Sequence, residues 1–353
     1  MLKSLSVKTR SLGSAAVLAL AVGFAGCTSN QQTTNSSSNT TSEASPARAD
    51  SNRPKVVATS SVLCDVTEKI AQDTVDLTCL IPAGTDPHVY QPKPSDRKAI
   101  EQANLILYNG YGFEESLIKL IQSTKNTAPK VAVGEIAVPK PLKGEEHKRE
   151  HGVGEKAQVE QEHSEFDPHV WQDAKNGVRI VETLSDNLKK ISPNKAATYT
   201  SNAEKMTREL TQLDSWIKSQ ISTIPAKQRK LVITHDAMGY YAAAYGIPIE
   251  GALQGISTEE KPTAGRMKEL VDEIKKASVP TIFAEATINP KLIETVSRET
   301  GVKVSEQKLF ADGLSEKGTQ ADTYEKMLIS NTKAIVEGLG GNYTAFQPKS
   351  RDD

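Results

Sequence analysis

From Lys55 onward, short β-branched runs alternate with stretches of helical spacing. Lys55-Val-Val-Ala-Thr-Ser60 reads as a strand, Val62–Ala71 as a helix and Val75–Ile81 as a second buried strand. Residues 94–103 return to a helical pattern, and Leu105–Tyr108 is a third strand. The second half repeats the alternation. Leu231–Thr234, Ile247-Pro-Ile249, Thr281–Ala284 and Val302–Val304 read as strands, and 237–245, 264–277 and 290–300 as helices. Such alternation implies parallel sheets with crossover connections, so the pattern predicts two α/β lobes, 54–190 and 225–341, with a tail over 342–353. Between them Ala196, Tyr199, Ala203, Met206, Leu210, Leu213 and Ile217 keep spacings of three and four. That predicts one long helix over 191–224, roughly 45 Å at 1.5 Å per residue, opened by Ser192-Pro193 and ended by Pro225. Its apolar stripe would suit a coiled-coil partner, but its length suits a helix packed on its own two lobes, which is the reading taken.

The first fifty residues follow another rule. Lys3, Lys8 and Arg10 form a positive start, and Leu12–Phe24 an apolar run too short to span a bilayer comfortably. The run ends in Phe24-Ala25-Gly26-Cys27, which looks like a lipobox with Phe24 in place of the usual Leu. Residues 1–26 are thus read as a lipoprotein signal peptide and Cys27 as the lipidated residue; an ordinary signal peptide cleaved nearby is the plainer alternative. Residues 27–53 are mostly Ser, Thr, Asn, Gln and Ala, a composition that cannot bury enough surface to offset its ordering entropy and makes a tether. The formal net charge is −1, and no basic stripe suggests nucleic acid. Beyond Cys27 there are Cys64 and Cys79, which suit one disulfide in an oxidising compartment or two buried thiols.

Candidate chemistry comes from a repeat. Asp86-Pro-His88-Val-Tyr-Gln91 and Asp167-Pro-His169-Val-Trp-Gln172 share one frame, and they use two of only six histidines in 353 residues. Each proline restricts its own φ and biases the preceding Asp toward extended backbone. A metal ligand needs such a frame, because its ring must arrive in one tautomer and one orientation. His235 directly follows the Leu231–Thr234 strand, and Asp312 follows the last apolar run in Leu309-Phe-Ala-Asp-Gly-Leu314. His88 lies in the loop after its own strand. Ligands in open α/β sheets bind outside the carboxyl ends of strands. Alone, His235 reads equally as a core histidine and Asp312 as a turn residue; together with the repeated pair they form three imidazoles and one carboxylate, a set suited to a borderline divalent ion.

With these motifs the chain resembles the metal-binding lipoproteins of bacterial ABC importers, in the zinc and manganese branch. The resemblance covers about residues 54–340 and rests on Gly84–Asp96, Phe166–Trp171, Thr234–Gly246 and Phe310–Leu314. It implies two lobes joined by one long rigid helix, with a metal held in the interlobe cleft by His88, His169, His235 and Asp312. It further implies delivery of the ion to a permease served by a separate ATPase; the chain is read as a monomer, anchored through Cys27 on the outer side of the cytoplasmic membrane or in the periplasm. No phosphate-binding Gly-rich loop with Lys occurs in this chain, so ATP is not its own substrate. Zinc members often carry a His- and acid-rich loop before the second ligand; here residues 143–165 hold His147, His151 and His163 among many Glu, a metal-collecting loop or a plain solvated one. Manganese members often place Glu where this chain has His235. Imidazole there favours Zn²⁺ as the transported ion, with Mn²⁺ the alternative. A zinc hydrolase with Glu285 as base is the competing class, disfavoured because four protein ligands leave no easy open position. An adhesive surface protein is a third.

Overall fold

The computed structural model describes residues 53–144 and 166–349. The expected signal peptide, Cys27, nearly all of the tether, His147, His151, His163 and the last four residues lie outside the described residues. The first half runs β1 (Lys55–Ala58), α1 (Ser61–Ala71), β2 (Asp76–Cys79), α2 (Pro94–Gln102), β3 (Leu105–Tyr108), α3 (Glu115–Ser123), β4 (Lys130–Ala132) and α4 (Val133–Ala137). Then come α5 (Ala174–Ile191) and the long α6 (Ala196–Ser222). The second half runs β5 (Leu231–His235), α7 (Gly239–Tyr245), β6 (Ile249–Gln254), α8 (Ala264–Ala277), β7 (Thr281–Ile282), α9 (Lys291–Thr300), β8 (Lys303–Val304) and α10 (Tyr324–Gly338).

Both lobes use one topology. The first sheet is parallel with strand order β2-β1-β3-β4. In the second, β5 pairs with β6 and β7 with β8, all parallel, and a bridge between Ile233 and Phe283 brings β7 beside β5. The order β6-β5-β7-β8 therefore repeats the first lobe. Successive strand residues face opposite sides, and the core divides accordingly. Val56, Ala58, Leu105, Leu107, Leu231 and Ile233 point into one large cluster shared by both lobes. Val57 and Ile106 point into a separate layer with Ile100, Leu117 and Ile121, while Val232 joins Leu253, Leu270 and Ile293.

The α6 stripe settles its own partner. Tyr199, Met206, Leu210, Leu213 and Ile217 are buried in the shared cluster, where α6 packs on α5, α1 and α10. The stripe serves the chain's own fold, and the two α/β lobes are joined through this 27-residue helix, about 40 Å long. Its start differs from expectation. Ser192 and Pro193 open a 3₁₀ turn in which Lys195 N–H donates to Ser192 O at 3.0 Å, and α6 begins only at Ala196. The sixth strand also shifts, from Ile247–Ile249 to Ile249–Gln254. Ile247 N–H is spent on Ala242 O at the end of α7 (3.2 Å), and Pro248 has no N–H to donate, so pairing starts after it.

Four helices, α3, α4, α5 and α10, and the strand β4 have no counterpart in the sequence reading. α5 carries Ile180, Val181, Leu184 and Leu188 into the core behind Asp173, whose carboxylate accepts from Lys175 N–H at 2.9 Å. α10 buries polar Ser330, Asn331 and Thr332 beside its apolar residues, which blurs the stripe. Cys64 on α1 and Cys79 at the end of β2 form a disulfide with Cα atoms 5.8 Å apart. Among the described residues no helix is long and apolar enough to cross a membrane.

Candidate metal centre

Four side chains from both halves of the chain converge between the lobes. His88 comes from the loop between β2 and α2, His169 from the approach to α5, His235 from the last position of β5, and Asp312 from the segment after β8. Each offers one donor atom, and the four donors lie within 4.8 Å of one another. His88, His169, His235 and Asp312 are all nearly inaccessible, at 4%, 0%, 0% and 1% exposure.

Local structure accounts for each placement. The His88 loop is closed by Tyr90, whose hydroxyl donates to Asp96 Oδ2 at 2.8 Å, and the same oxygen accepts from Lys93 N–H at 2.7 Å at the start of α2. The Gly84-to-Asp96 motif is thus one self-clamped turn around His88. His169 is fixed by Asp167, whose Oδ1 accepts from its backbone N–H at 2.9 Å and lies 2.8 Å from its Nδ1. Gly239 packs against that carboxylate; a Cβ there would meet Asp167 Oδ2 at 2.5 Å. Phe113 closes the apolar side, edge-on to His88 and His169 with centroids 5.1 and 5.7 Å away.

The Asp312 loop is held from the first half of the chain. Trp171 Nε1–H and Gln172 Nε2–H donate to Ala311 O at 3.0 and 2.7 Å. Asn331 on α10 grips Phe310 from both ends, accepting from its N–H at 2.8 Å and donating to its O at 2.9 Å. The aromatic and Gln of the second repeat are therefore the brackets that hold the fourth donor.

Spacing between donors has a chemical meaning. Asp312 Oδ1 lies 3.2 Å from His169 Nε2, 3.2 Å from His235 Nε2 and 3.7 Å from His88 Nε2, and the His88 and His169 Nε2 atoms are 3.3 Å apart. A tetrahedron with metal–nitrogen distances of about 2.0–2.1 Å has edges of roughly 3.3 Å. Asp312 Oδ1, Asp312 Oδ2 and His235 Nε2 are buried without a hydrogen bond among the described residues. Leaving such groups unsatisfied is costly, and a cation among them would satisfy all three.

Electrostatics follow the same geometry. Burial pushes the His169 imidazole down, but its contacts with Asp167 and Asp312 outweigh this and raise its pKa to about 9. Burial likewise opposes the charge on His235, and Asp312 and Glu285 carry its pKa well above the usual range. For Asp312 burial favours the neutral acid, yet the surrounding imidazoles hold it well below the ordinary carboxylate range.

All four side chains singled out from sequence meet at one point. Glu285 changes role: it is 1% exposed, its Oε1 accepts from the His235 backbone N–H at 2.8 Å, and its Oε2 lies 2.5 Å from His235 Nδ1. It sits on the Nδ1 side of the ring, away from the Nε2 atom that faces Asp312. Asp167, Trp171, Gln172 and Asn331 were not read as site residues. The shared Asp, aromatic and Gln of the two repeats were the available signal for the first three.

The family described as zinc-uptake complex component A, periplasmic, matches residues 56–338. The manganese-binding lipoprotein MntA of Halalkalibacterium halodurans is 33% identical over 81% of this chain and 88% of its own. The manganese ABC transporter substrate-binding lipoprotein PsaA of Streptococcus pneumoniae serotype 4 is 32% identical over 81% and 89%. Among solved structures, the periplasmic zinc-binding protein TroA of Treponema pallidum superposes with a TM-score of 0.71 at 32% identity, over 81% of this chain and 99% of that one. The manganese-bound periplasmic metal-binding protein of Candidatus Liberibacter asiaticus gives 0.64 at 26% identity, over the same shares. With the family match spanning most of its length, the chain belongs to the periplasmic component A family of zinc-uptake complexes.

Proposed function

We propose that His88, His169, His235 and Asp312 bind one divalent transition-metal ion, zinc in preference to manganese, as cargo for an ABC permease and its ATPase. The observation that carries this reading is the donor set itself: three Nε2 atoms and one carboxylate, buried, at spacings of 3.2–3.7 Å around Asp312 Oδ1. Such a set suits four-coordinate Zn²⁺, which makes no geometric demand of its own. Mn²⁺ favours more oxygen and stands lowest in the Irving–Williams order. The lipoprotein relatives support Cys27 as an anchor and binding outside the cytoplasmic membrane. Glu285, turned to the back of His235, supports binding over hydrolysis. Manganese is the second reading, favoured by the names of the sequence relatives.

Competitive titration of the metal-free protein tests the proposal. One tight equivalent of zinc is expected, held more strongly than manganese. Changing His88 or His169 to Ala should weaken zinc binding by at least ~10-fold, since losing a ligand should cost no less than losing its hydrogen-bond partner. Unchanged affinity in either variant would overturn the site assignment; manganese bound as tightly as zinc would favour the second reading.

A further inference from the structure

The two Asp-Pro-His-Val repeats use their aspartates differently. In the second, Asp167 Oδ1 serves both the backbone N–H and the Nδ1 of His169. In the first, Asp86 Oδ1 accepts from the His88 backbone N–H at 3.0 Å, while Oδ2 accepts from Thr258 Oγ1 at 2.7 Å. Thr258 belongs to the other lobe, in the segment after β6. This hydrogen bond joins the His88 loop directly to that segment.

The far end of the contact leads to another donor. Gln254, the last residue of β6, donates through Nε2 to Glu260 O at 3.0 Å and to Thr258 O at 3.4 Å. Gln254 is also the register partner of His235, and Asp236 N–H donates to Gly255 O at 3.2 Å. The path from His88 through Asp86 and Thr258 to Gln254 thus ends beside His235. Both Asp86 and Thr258 are half-buried, so water can reach either group if this contact breaks. A hydrogen bond between two half-buried groups competes with water and adds only a modest hold to the loop.

We infer that Thr258, through Asp86, is a positioning residue that holds the His88 loop to the His235 side of the cleft and sets how fast the metal leaves. The inference rests on the metal-binding reading above. It concerns Thr258, which contributes no donor to the ion.

Zinc dissociation from the full-length protein, followed in a stopped-flow instrument with excess chelator, tests it. Thr258→Val removes the hydroxyl at nearly constant volume. Its dissociation rate should rise about fivefold, as expected for one half-exposed hydrogen bond of ordinary strength, with one zinc still bound per chain. Thr258→Ser should restore the rate to within about twofold. In an Asp86→Ala background, Thr258→Val should add nothing, because contacting residues couple and independent ones add. A Thr258→Val rate equal to wild type, failure of the Ser variant to rescue, or the same increase without Asp86 would overturn the positioning role while leaving metal binding intact. Absence of a tight zinc equivalent in the wild type would remove the underlying reading instead. Melting of each metal-free variant, expected to be unchanged, separates a loosened latch from a loosened fold.

Discussion

Glu285 holds His235 at two points, through the backbone N–H at 2.8 Å and at Nδ1 at 2.5 Å, so that Nε2 is turned toward Asp312. Fifty residues separate the pair in sequence. The bridge between Glu285 and Leu309 extends this end of the sheet and leads on to the Asp312 segment. One carboxylate thereby contacts His235 from just beyond β7, in the segment that pairs with the approach to Asp312.

Glu285→Gln keeps an acceptor of the same shape and removes the negative charge that makes the ring a better donor. Zinc affinity should fall about 10–100-fold, the usual cost of losing a carboxylate behind a metal-bound histidine. The metal-free protein should melt close to wild type. If titration shows wild-type affinity, the His235 ring is held by packing alone.

How much of this was legible depended on how local each cause was. His88 and His169 stood out because Asp, Pro and the flanking Val and aromatic shape each histidine within a few residues. The long α6 was legible because its apolar residues keep helical spacing along nearly its whole length. Asn331 was not, since a polar residue inside a helix gives no sign that it faces the Phe310 backbone. Asp86 and Asp167 look identical as strings, yet one reaches Thr258 and the other its own histidine ring. That difference arises from distant chain and has no local signature.

The segment between residues 144 and 166 should be dispensable for the tight site. Its ends are already joined: Lys143 and Phe166 form an antiparallel bridge, and Asp167 N–H donates to Leu142 O at 2.9 Å. A short Gly/Ser turn can close that gap, because closure entropy changes slowly with loop length. Deleting residues 146–163 should leave one tight zinc and remove only weaker equivalents, counted by calorimetry. Loss of the tight equivalent would mean that His147, His151 or His163 is a primary ligand.

Metal affinity should rise with pH. In the metal-free fold His169 titrates at about 9, above the ordinary value of 6.5. A raised imidazole pKa stabilises the metal-free fold fully below about 6.5, and this contribution is lost as pH rises through about 9. Zinc must displace the same proton from the ring. Apparent zinc affinity should therefore climb by ~10-fold or more per pH unit as pH rises toward about 9, since His235 also holds its proton, and calorimetry in two buffers of different ionisation enthalpy should show at least one proton released. A flat affinity across that window would show that the metal-free site holds its imidazoles neutral.

His235 should set the choice between zinc and manganese. Three neutral imidazoles and Asp312 give the site one negative charge and mostly nitrogen donors. Replacing His235 with Glu adds a second charge and one or two oxygens, which suits the harder Mn²⁺. The position also contains a built-in opposition: Glu285 lies 2.5 Å behind the ring, so a carboxylate at residue 235 would face another carboxylate. Like charges brought close together raise one pKa and hold a proton. The single His235→Glu variant should thus lower the zinc-to-manganese affinity ratio while weakening both metals. Adding Glu285→Gln should recover manganese affinity without restoring zinc, since the repulsion goes but the nitrogen donor does not return. Parallel titrations of wild type, His235→Glu and the double variant at one pH read both ratios directly. A ratio unchanged in His235→Glu would assign selectivity to the fit of the closed cleft, and an unchanged manganese affinity in the double variant would remove Glu285 from the cause.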